Sequence, residues 1–320
     1  MINYQAATTS GRASDVLRRL ETDGQRGIVR TVPTGFDLLD RAIGGLYAQD
    51  LVVVAGRPGV GKTITALQWA RAAALANIGV IYVCYEHDQL DLLSRMLCLE
   101  IGMLDLPTPA NEFTERLQVL HDVRAGRWST MTDAGRHPIV RAARARLESY
   151  ADHLFLVAGE TTATAPDLDG LIRDQNGDVG LVVVDYMQRV PGVRGSVAQE
   201  LKNLALTHSV AVVALSALNE AGLSTRRARL HDLRDAHETG YDADVIILLN
   251  DKLTAVAPMH LTFDETNTER FKRFTVFSIE KNRHGAAPIH LEFEKDFTTG
   301  RFLRPGAHVL ERLQDETHLG

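Results

Sequence analysis

The sequence predicts an α/β protein with a mostly parallel, twisted sheet flanked by helices and with antiparallel strands near its C-terminus. From about residue 50 onward, short β-branched runs alternate with helix-like stretches, which is the pattern of βαβ units. The runs lack polar alternation, so helices should cover both faces of the sheet. A glycine-rich segment, 56–63, separates the first run from the helix-like stretch that follows. These observations predict one main domain built around one sheet.

The predicted elements follow one another in a regular order. Six apolar runs predict the parallel strands: 51–55, 80–85, 154–158, 181–184, 210–215 and 245–249. Residues 64–77 should form a helix, and residues 88–149, where apolar side chains recur at helical spacing, should form a helical insertion. Glycines separate three later runs, which predict antiparallel hairpin strands at 274–279, 289–293 and 301–303.

Composition limits the classes of function. The net charge of −6 argues against a protein that coats nucleic acid with its whole surface, although it leaves a local basic lining open. No apolar run reaches the roughly 18 residues of a membrane span, and residues 1–23 lack the features of a signal peptide. We therefore expect a cytoplasmic protein with no membrane partner. Cys84 and Cys98 lie in apolar runs and should be core thiols.

The segment from Gly56 to Thr63 fits the phosphate-binding pattern G-x-x-x-x-G-K-[ST] and stands between a strand and a helix, as that pattern requires. Glycines allow backbone N–H groups to surround a phosphate, and the helix N-terminus adds a positive dipole. Lys62 should contact the β and γ phosphates, and Thr63 should hold Mg²⁺. The predicted cofactors are ATP and Mg²⁺, and the predicted nucleotide-binding residues are Gly56, Arg57, Pro58, Gly59, Val60, Gly61, Lys62, Thr63 and Ile64.

Hydrolysis also requires a second carboxylate near Mg²⁺ and a group that orients the attacking water. Asp185 ends the apolar run 181–184, which places it at the carboxyl edge of the sheet, where ligands of open α/β sheets bind. Glu86 follows the run 80–85 in the same way and is the candidate general base. Asp88 and Asp91 are nearby alternatives, but they are more typical of a surface or a helix start.

Several motifs resemble, in the same order, those of the motor domain of DnaB-type replicative helicases, within the RecA-like superfamily. The resemblance extends from about Arg30 to Arg304. It rests on the segments 34–40, 44–46, 56–63, 80–86, 181–188, 212–219, 232–234 and 281–285, among which Asp185-Tyr186-Met187-Gln188 is similar to D-Y-L-Q, Asp232-Leu233-Arg234 to D-L-R and Lys281-Asn282-Arg283-His284-Gly285 to K-x-R-x-G.

The resemblance implies an ATPase that assembles into a homo-oligomer, expected to be a hexameric ring, and that acts on single-stranded DNA. It implies that Lys62 and Thr63 bind nucleotide and Mg²⁺, that Glu86 is the catalytic base, and that Asp185 is the second metal carboxylate. Lys281 and Arg283 would act in trans, with Arg283 as an arginine finger. The loop that carries Arg234 and Asp235 would contact DNA phosphates. The implied domains are a linker helix and arm at 1–29, with the helix at 13–20, an ATPase domain at 30–305, and a polar tail at 306–320.

Three features depart from the family pattern. Only residues 1–29 precede the motor, so we expect a protein partner in place of the family's N-terminal helical domain. Ala217 replaces a glutamine that senses the γ-phosphate in the family, and Ala236-His237 replaces a glycine of the DNA loop. The missing glutamine and the short N-terminal segment favour an alternative, an ATPase switch or assembly clamp similar to RadA and KaiC. A small-molecule kinase is disfavoured because the sequence contains no evident arginine-rich lid.

Overall fold

The computed structural model describes residues 31–104, 113–158, 164–175, 178–191, 196–262 and 265–314, together with Ser14, Arg18 and Glu21. Apart from those three positions, the predicted N-terminal arm, 1–29, and its helix at 13–20 lie outside the described residues. No helix of the described part of the chain is long and apolar enough to cross a membrane.

One large sheet forms the centre of the molecule. Its strands are β3 Leu51–Gly56, β4 Gly79–Cys84, β5 Leu154–Ala158, β6 Val179–Asp185, β7 Ala211–Ser216, β8 Val245–Asp251, β9 Phe274–Asn282, β10 Ile289–Asp296, β11 Arg301–Phe302 and β12 Ala307–His308; β1 Thr31–Val32 and β2 Leu46–Tyr47 form a separate antiparallel pair. The order across the large sheet is β11-β10-β9-β8-β3-β7-β6-β4-β5, with β12 paired to β10. The strands from β8 to β5 in this order are parallel, and β9 to β12 are added as antiparallel strands. The prediction of a mostly parallel sheet with antiparallel C-terminal strands is therefore confirmed.

Helices cover both faces of this sheet, as the continuous apolar runs predict. Alternate residues of β3 show the two layers: Val52 and Val54 belong to one buried cluster, whereas Leu51 and Val53 belong to the other. The helices are α1 Asp37–Ile43, α2 Lys62–Leu75, α3 Gln89–Met103, α4 Phe113–Arg124, α5 Asp133–Arg136, α6 Pro138–Glu148, α7 Ala165–Asp174, α8 Val197–His208, α9 Glu220–Ser224, α10 Ala236–Asp242, α11 Lys252–Ala255, α12 Met259–Thr262 and α13 Glu265–Lys272.

The predicted helical insertion is the crossover between β4 and β5, and it contains α3 to α6. A small apolar cluster joins α3, α4 and α6. Glu100, on α3, is buried and bonds to Arg71 of the phosphate-loop helix α2, with its second oxygen 3.0 Å from Arg71 Nη2. The same carboxylate accepts a 2.6 Å hydrogen bond from the Tyr150 hydroxyl and lies 3.3 Å from Arg146 Nε. This network attaches the crossover to α2.

Residues 306–314 of the polar tail predicted at 306–320 pack against the domain, and residues 315–320 lie outside the described residues. Residues 307–308 form β12 against β10, and Leu313 is buried beside Val256. The Gln314 amide donates hydrogen bonds of 3.1 Å to the carbonyl oxygens of Thr254 and Val256. The packed domain therefore extends to residue 314, because a few apolar and amide contacts bind a segment whose overall composition is polar.

Candidate active site

The glycine-rich segment forms a loop between the end of β3 and the start of α2. Gly59 and Gly61 have φ angles of 81° and 103°, which lie in the left-handed region that favours glycine. A Cβ atom at Gly61 would lie 2.6 Å from the Phe302 ring, so this position excludes every other residue. The N-terminus of α2 has no side-chain cap and no acidic residue in its first turn. Its N–H groups are thus available to an anion.

A cavity of about 490 Å³ opens above this loop. Seven of the nine predicted nucleotide-binding residues line it: Gly56, Pro58, Gly59, Gly61, Lys62, Thr63 and Ile64. The other two do not. Val60 is buried in the core, and Arg57 Nη2 lies 3.4 Å from the carbonyl oxygen of Gly222 in α9. Glu86 and Asp185, which are far apart in sequence, line the same cavity.

Lys62 lies at the centre of the loop. Its Nζ donates hydrogen bonds to the carbonyl oxygens of Gly56, at 2.8 Å, and Arg57, at 3.0 Å. Burial lowers the pKa of the Lys62 ammonium, and the nearby carboxylates of Asp185 and Glu86 oppose that shift. A half-buried cation with two neutral acceptors and two nearby carboxylates is well suited to exchange its carbonyl partners for phosphate oxygens.

Asp185 ends β6 and is 1% exposed. Its Oδ2 accepts a 2.9 Å hydrogen bond from the Tyr82 hydroxyl, and its carboxylate also accepts one from the Thr63 hydroxyl. Burial raises the pKa of Asp185, and these hydrogen bonds partly offset the increase. A hydroxyl and a carboxylate oxygen in contact beside a phosphate loop are the hard ligands that Mg²⁺ prefers, so the residues fit that ion.

Glu86 follows β4, the strand next to β6. The Tyr85 N–H donates a 2.8 Å hydrogen bond to the Asp185 carbonyl, which fixes the ends of the two strands side by side. Glu86 is partly exposed to the cavity, and its Oε1 lies 3.9 Å from Arg189 Nη2. The two competing carboxylates have other partners: Asp88 caps α3, and Asp91 pairs with Arg95 and His87.

Lys281 and Arg283 lie far from this cavity. They stand at the end of β9, beside the start of β8, and β8 runs parallel to β3 with Val245 next to Val52. Lys281 Nζ bonds to the carbonyl oxygens of Gly240, at 2.8 Å, and Ala243. The phosphate loop begins at the other end of β3, about 16 Å away at 3.3 Å per residue. The structure therefore does not bring these two residues together with the site in the same subunit.

Arg234 and Asp235, the predicted DNA contacts, are both exposed. The Arg234 N–H donates a 3.1 Å hydrogen bond to the carbonyl oxygen of Ala217, and Ala217 lines the cavity. The Ala217 N–H donates in turn to the side-chain oxygen of Gln188, at 3.2 Å. Asp235 has a left-handed backbone, with φ of 58°, and begins α10. A single backbone hydrogen bond, from Arg234 to Ala217, thus connects the exposed loop to the cavity wall.

Residues 31–302 match the profile of the DnaB-like helicase C terminal domain. The chain belongs to this family. The replicative DNA helicase DnaB of Geobacillus stearothermophilus is 28% identical over 70% of this chain and 48% of its own length. The DnaB helicase of Leifsonia xyli subsp. xyli is 30% identical over 70% and 47%. This chain thus spans about half the length of these relatives.

The fold of the DnaB-like domain is also that of solved structures. One solved ATPase domain superposes with a TM-score of 0.70 at 19% identity, covering 92% of this chain and 99% of that one. A solved DnaB-like replicative helicase superposes with a TM-score of 0.66 at 20% identity, covering 94% of this chain and 68% of that one. At this level of identity the likeness concerns the fold. It agrees with the strand order and the helical layers described above.

Sequence reasoning missed several side chains of the DnaB-like site. Tyr82 bonds to Asp185, and Arg95, Tyr186 and Phe297 line the cavity. A tyrosine inside a buried strand requires a hydrogen-bond partner, so Tyr82 could have been found. Phe297 could not, because only the packing of the β10–β11 hairpin near α2 brings it to the cavity. Phe297 and Arg95 also border an adjoining cavity of about 310 Å³, in which Cys98 and Arg124 lie.

Proposed function

We propose that this DnaB-like domain hydrolyses MgATP at the interfaces of a homohexameric ring and moves along single-stranded DNA. The observation that carries the proposal is the division of the catalytic set between two edges of one sheet. Lys62, Thr63, Glu86 and Asp185 surround one cavity at the carboxyl edge, and Lys281 and Arg283 stand at the opposite edge. A complete site therefore needs two copies of the chain.

Each residue of the cavity has a distinct chemical task in this proposal. The loop N–H groups and Lys62 bind the phosphates, and Thr63 and Asp185 hold Mg²⁺. Bound there, Mg²⁺ neutralises charge on the phosphates during transfer. Glu86 orients the attacking water and accepts its proton, since its carboxylate borders the cavity and is partly exposed to it. The adjoining cavity beside Phe297 offers an apolar surface for the base of the nucleotide.

A finger in trans requires a heterologous, head-to-tail contact in which one subunit presents its Arg283 edge to the phosphate loop of the next. Such contacts repeat around a closed ring. An arginine is effective there because its guanidinium is always charged and donates hydrogen bonds in a fixed fork to phosphate oxygens. The assembly also makes hydrolysis dependent on neighbouring subunits, as expected of a ring motor.

Single-stranded DNA is proposed as the partner of the Arg234 loop. Arg234 is exposed, and its backbone is hydrogen-bonded to Ala217 at the cavity wall. The relatives that match this chain are named replicative DNA helicases. Because Ala217 has no side-chain amide, coupling between nucleotide and DNA would pass through the backbone of the loop and through Gln188. We also propose that the protein acts in the cytoplasm.

The decisive experiment for the trans site mixes two inactive variants. Lys62→Ala should lose ATP binding, whereas Arg283→Ala should keep ATP affinity and lose hydrolysis. In mixed rings, an intact phosphate loop can face an intact Arg283, so about a quarter of the wild-type rate should return if subunits assemble at random. If mixing restores no activity although both variants assemble, the trans arrangement is wrong.

The DNA part of the proposal needs a separate measurement. The ATPase rate is measured with and without single-stranded DNA at low and moderate salt, with Glu86→Gln as the blank. A several-fold stimulation that Glu86→Gln removes and that Arg234→Ala reduces would support a DNA motor. A rate indifferent to DNA would favour the alternative, an ATPase switch that controls assembly.

A further inference from the structure

A buried carboxylate lies directly beneath Arg283. Asp244 immediately precedes β8 and is 4% exposed. Its Oδ1 accepts a 2.9 Å hydrogen bond from Arg283 Nη1, and its carbonyl oxygen accepts a 3.0 Å hydrogen bond from the Arg283 N–H. Both the side chain and the backbone of Arg283 are therefore hydrogen-bonded to Asp244.

The other oxygen of the same carboxylate is fixed to the sheet. Asp244 Oδ2 accepts hydrogen bonds from the Leu51 N–H, at 2.8 Å, and from Lys202 Nζ, at 2.6 Å. Leu51 is the first residue of β3, the strand that ends in the phosphate loop. Asp244 thus connects the guanidinium to the rigid centre of the fold and not to a surface loop.

Arg283 is held but not enclosed. Its Nη2 donates a 2.7 Å hydrogen bond to the Tyr241 carbonyl oxygen, and its side chain remains 47% exposed. A guanidinium has five N–H donors, so these contacts leave others for a ligand outside the subunit. Because the side chain is ordered by its own chain, less conformational entropy is lost when it meets a phosphate.

We propose that Asp244 is the positioning residue for Arg283 and fixes the guanidinium in the orientation in which it meets the nucleotide of a neighbouring subunit. The inference rests on the proposed function, in which Arg283 acts in trans. Asp244 itself does not touch the nucleotide. Its loss should therefore lower kcat and leave the KM for ATP and ATP affinity within about twofold, since the phosphate loop is unaltered.

The test compares two variants that affect different oxygens of the Asp244 carboxylate: Oδ1, which contacts Arg283, and Oδ2, which contacts Lys202. Asp244→Asn is nearly isosteric and should lower kcat at least tenfold. Lys202→Met removes a partner of Oδ2 and leaves the Oδ1 contact to Arg283, so kcat should stay within twofold of wild type. Melting temperature and ring assembly are measured for both variants. Equal kcat for Asp244→Asn and wild type would overturn the proposal.

Chemical rescue separates positioning from a merely structural role. Free guanidinium at millimolar concentration should partly restore hydrolysis by Arg283→Ala, because Asp244 still offers a binding carboxylate, and should fail with the double variant Arg283→Ala/Asp244→Asn. Without guanidinium, the double variant should be no slower than Arg283→Ala. Equal rescue of both, or a double variant slower by the product of the two single effects, would refute the inference.

Two further outcomes are distinguishable. If Arg283→Ala hydrolyses ATP at the wild-type rate, the proposed function fails before Asp244 is considered. If Asp244→Asn does not fold, Asp244→Glu replaces it; a carboxylate displaced by one methylene should lower kcat at least fivefold at unchanged KM, and a wild-type kcat would overturn the proposal.

Discussion

The buried charge of Asp185 should lower the stability of the fold although the proposed function requires it. Burial raises the pKa of the Asp185 carboxyl above its ordinary value of 3.8, so the folded chain stabilises the charged form less well than water does. A group with a raised folded-state pKa stabilises the fold only at low pH, and that contribution is lost as pH rises through the folded pKa. Asp185→Asn removes the charge at almost constant volume. We expect this variant to be more stable than wild type in the absence of nucleotide and metal, and inactive.

The size of the effect follows from the contacts. Loss of charge weakens the hydrogen bonds from Tyr82 and Thr63 by about 1 kcal/mol each, because bonds to ionised acceptors are roughly twice as strong as neutral ones. Removing the charge also removes the desolvation cost of a buried carboxylate, which is several kcal/mol. Burial is the largest influence on the pKa of Asp185 and raises it, so the cost of burying the charge exceeds the two hydrogen-bond losses, and their difference leaves a net stabilisation of about 1–2 kcal/mol. For a chain of this length that corresponds to an increase of about 1.5–3 °C in Tm.

The assay is thermal unfolding in EDTA without nucleotide, repeated at several pH values. Asp185→Asn should melt above wild type at pH 7.5, and the difference should shrink as the pH is lowered, because the wild-type carboxylate takes up a proton in the folded state before it does so in the unfolded state. MgATP should raise the Tm of wild type more than that of the variant. Tyr82→Phe is the control: it should destabilise wild type and have a smaller effect in the Asp185→Asn background. A Tm that falls by 2 °C or more in Asp185→Asn would refute the reasoning.

Three further predictions concern the surroundings of the site. Glu100→Ala leaves the buried Arg71 without its carboxylate and should lower the free energy of unfolding in urea by about 3–5 kcal/mol. Phe297→Ala should weaken binding of a fluorescent ATP analogue about 5- to 150-fold if the base packs there, since stacking on an aromatic ring is worth about 1–3 kcal/mol, whereas Phe297→Leu should have a smaller effect; equal affinities would exclude this contact. Burial raises the pKa of Cys84 and Cys98 to about 11, so native protein at pH 8 should not react with a disulfide reagent within minutes, and both thiols should react after unfolding.

Much of the fold was predictable because its signals are local. Continuous β-branched runs predicted the parallel strands, and the structure places each within one or two residues of the expected bounds. The meeting of Asp185 and Glu86 was also predictable: parallel strands end at the same edge of a sheet whatever their order, so residues that follow such strands share that edge. The buried state of both cysteines followed from the apolar stretches that contain them, a strand for Cys84 and a helix for Cys98.

The placement of Arg283 depended on strand order. Lys281 and Arg283 read as charges at a strand end, and only the pairing of β9 with β8, and of β8 with β3, shows that they lie at the edge opposite the phosphate loop. Asp244, the hydrogen-bond partner of Arg283, is 39 residues away from it in sequence, and no local pattern joins the two.

The sequence by itself determined the glycine-rich loop between a strand and a helix, the layered α/β architecture and the sheet edge at which Glu86 and Asp185 lie, because these depend on residue type and short-range spacing. Only the tertiary structure decided that Tyr82 bonds to Asp185, that Phe297 reaches the cavity, that residues 307–314 pack on the domain, and that Asp244 holds Arg283. These contacts join segments that are distant in the chain. Their geometry depends on strand order and side-chain packing, and neither can be deduced from the residue types and spacing within a single element.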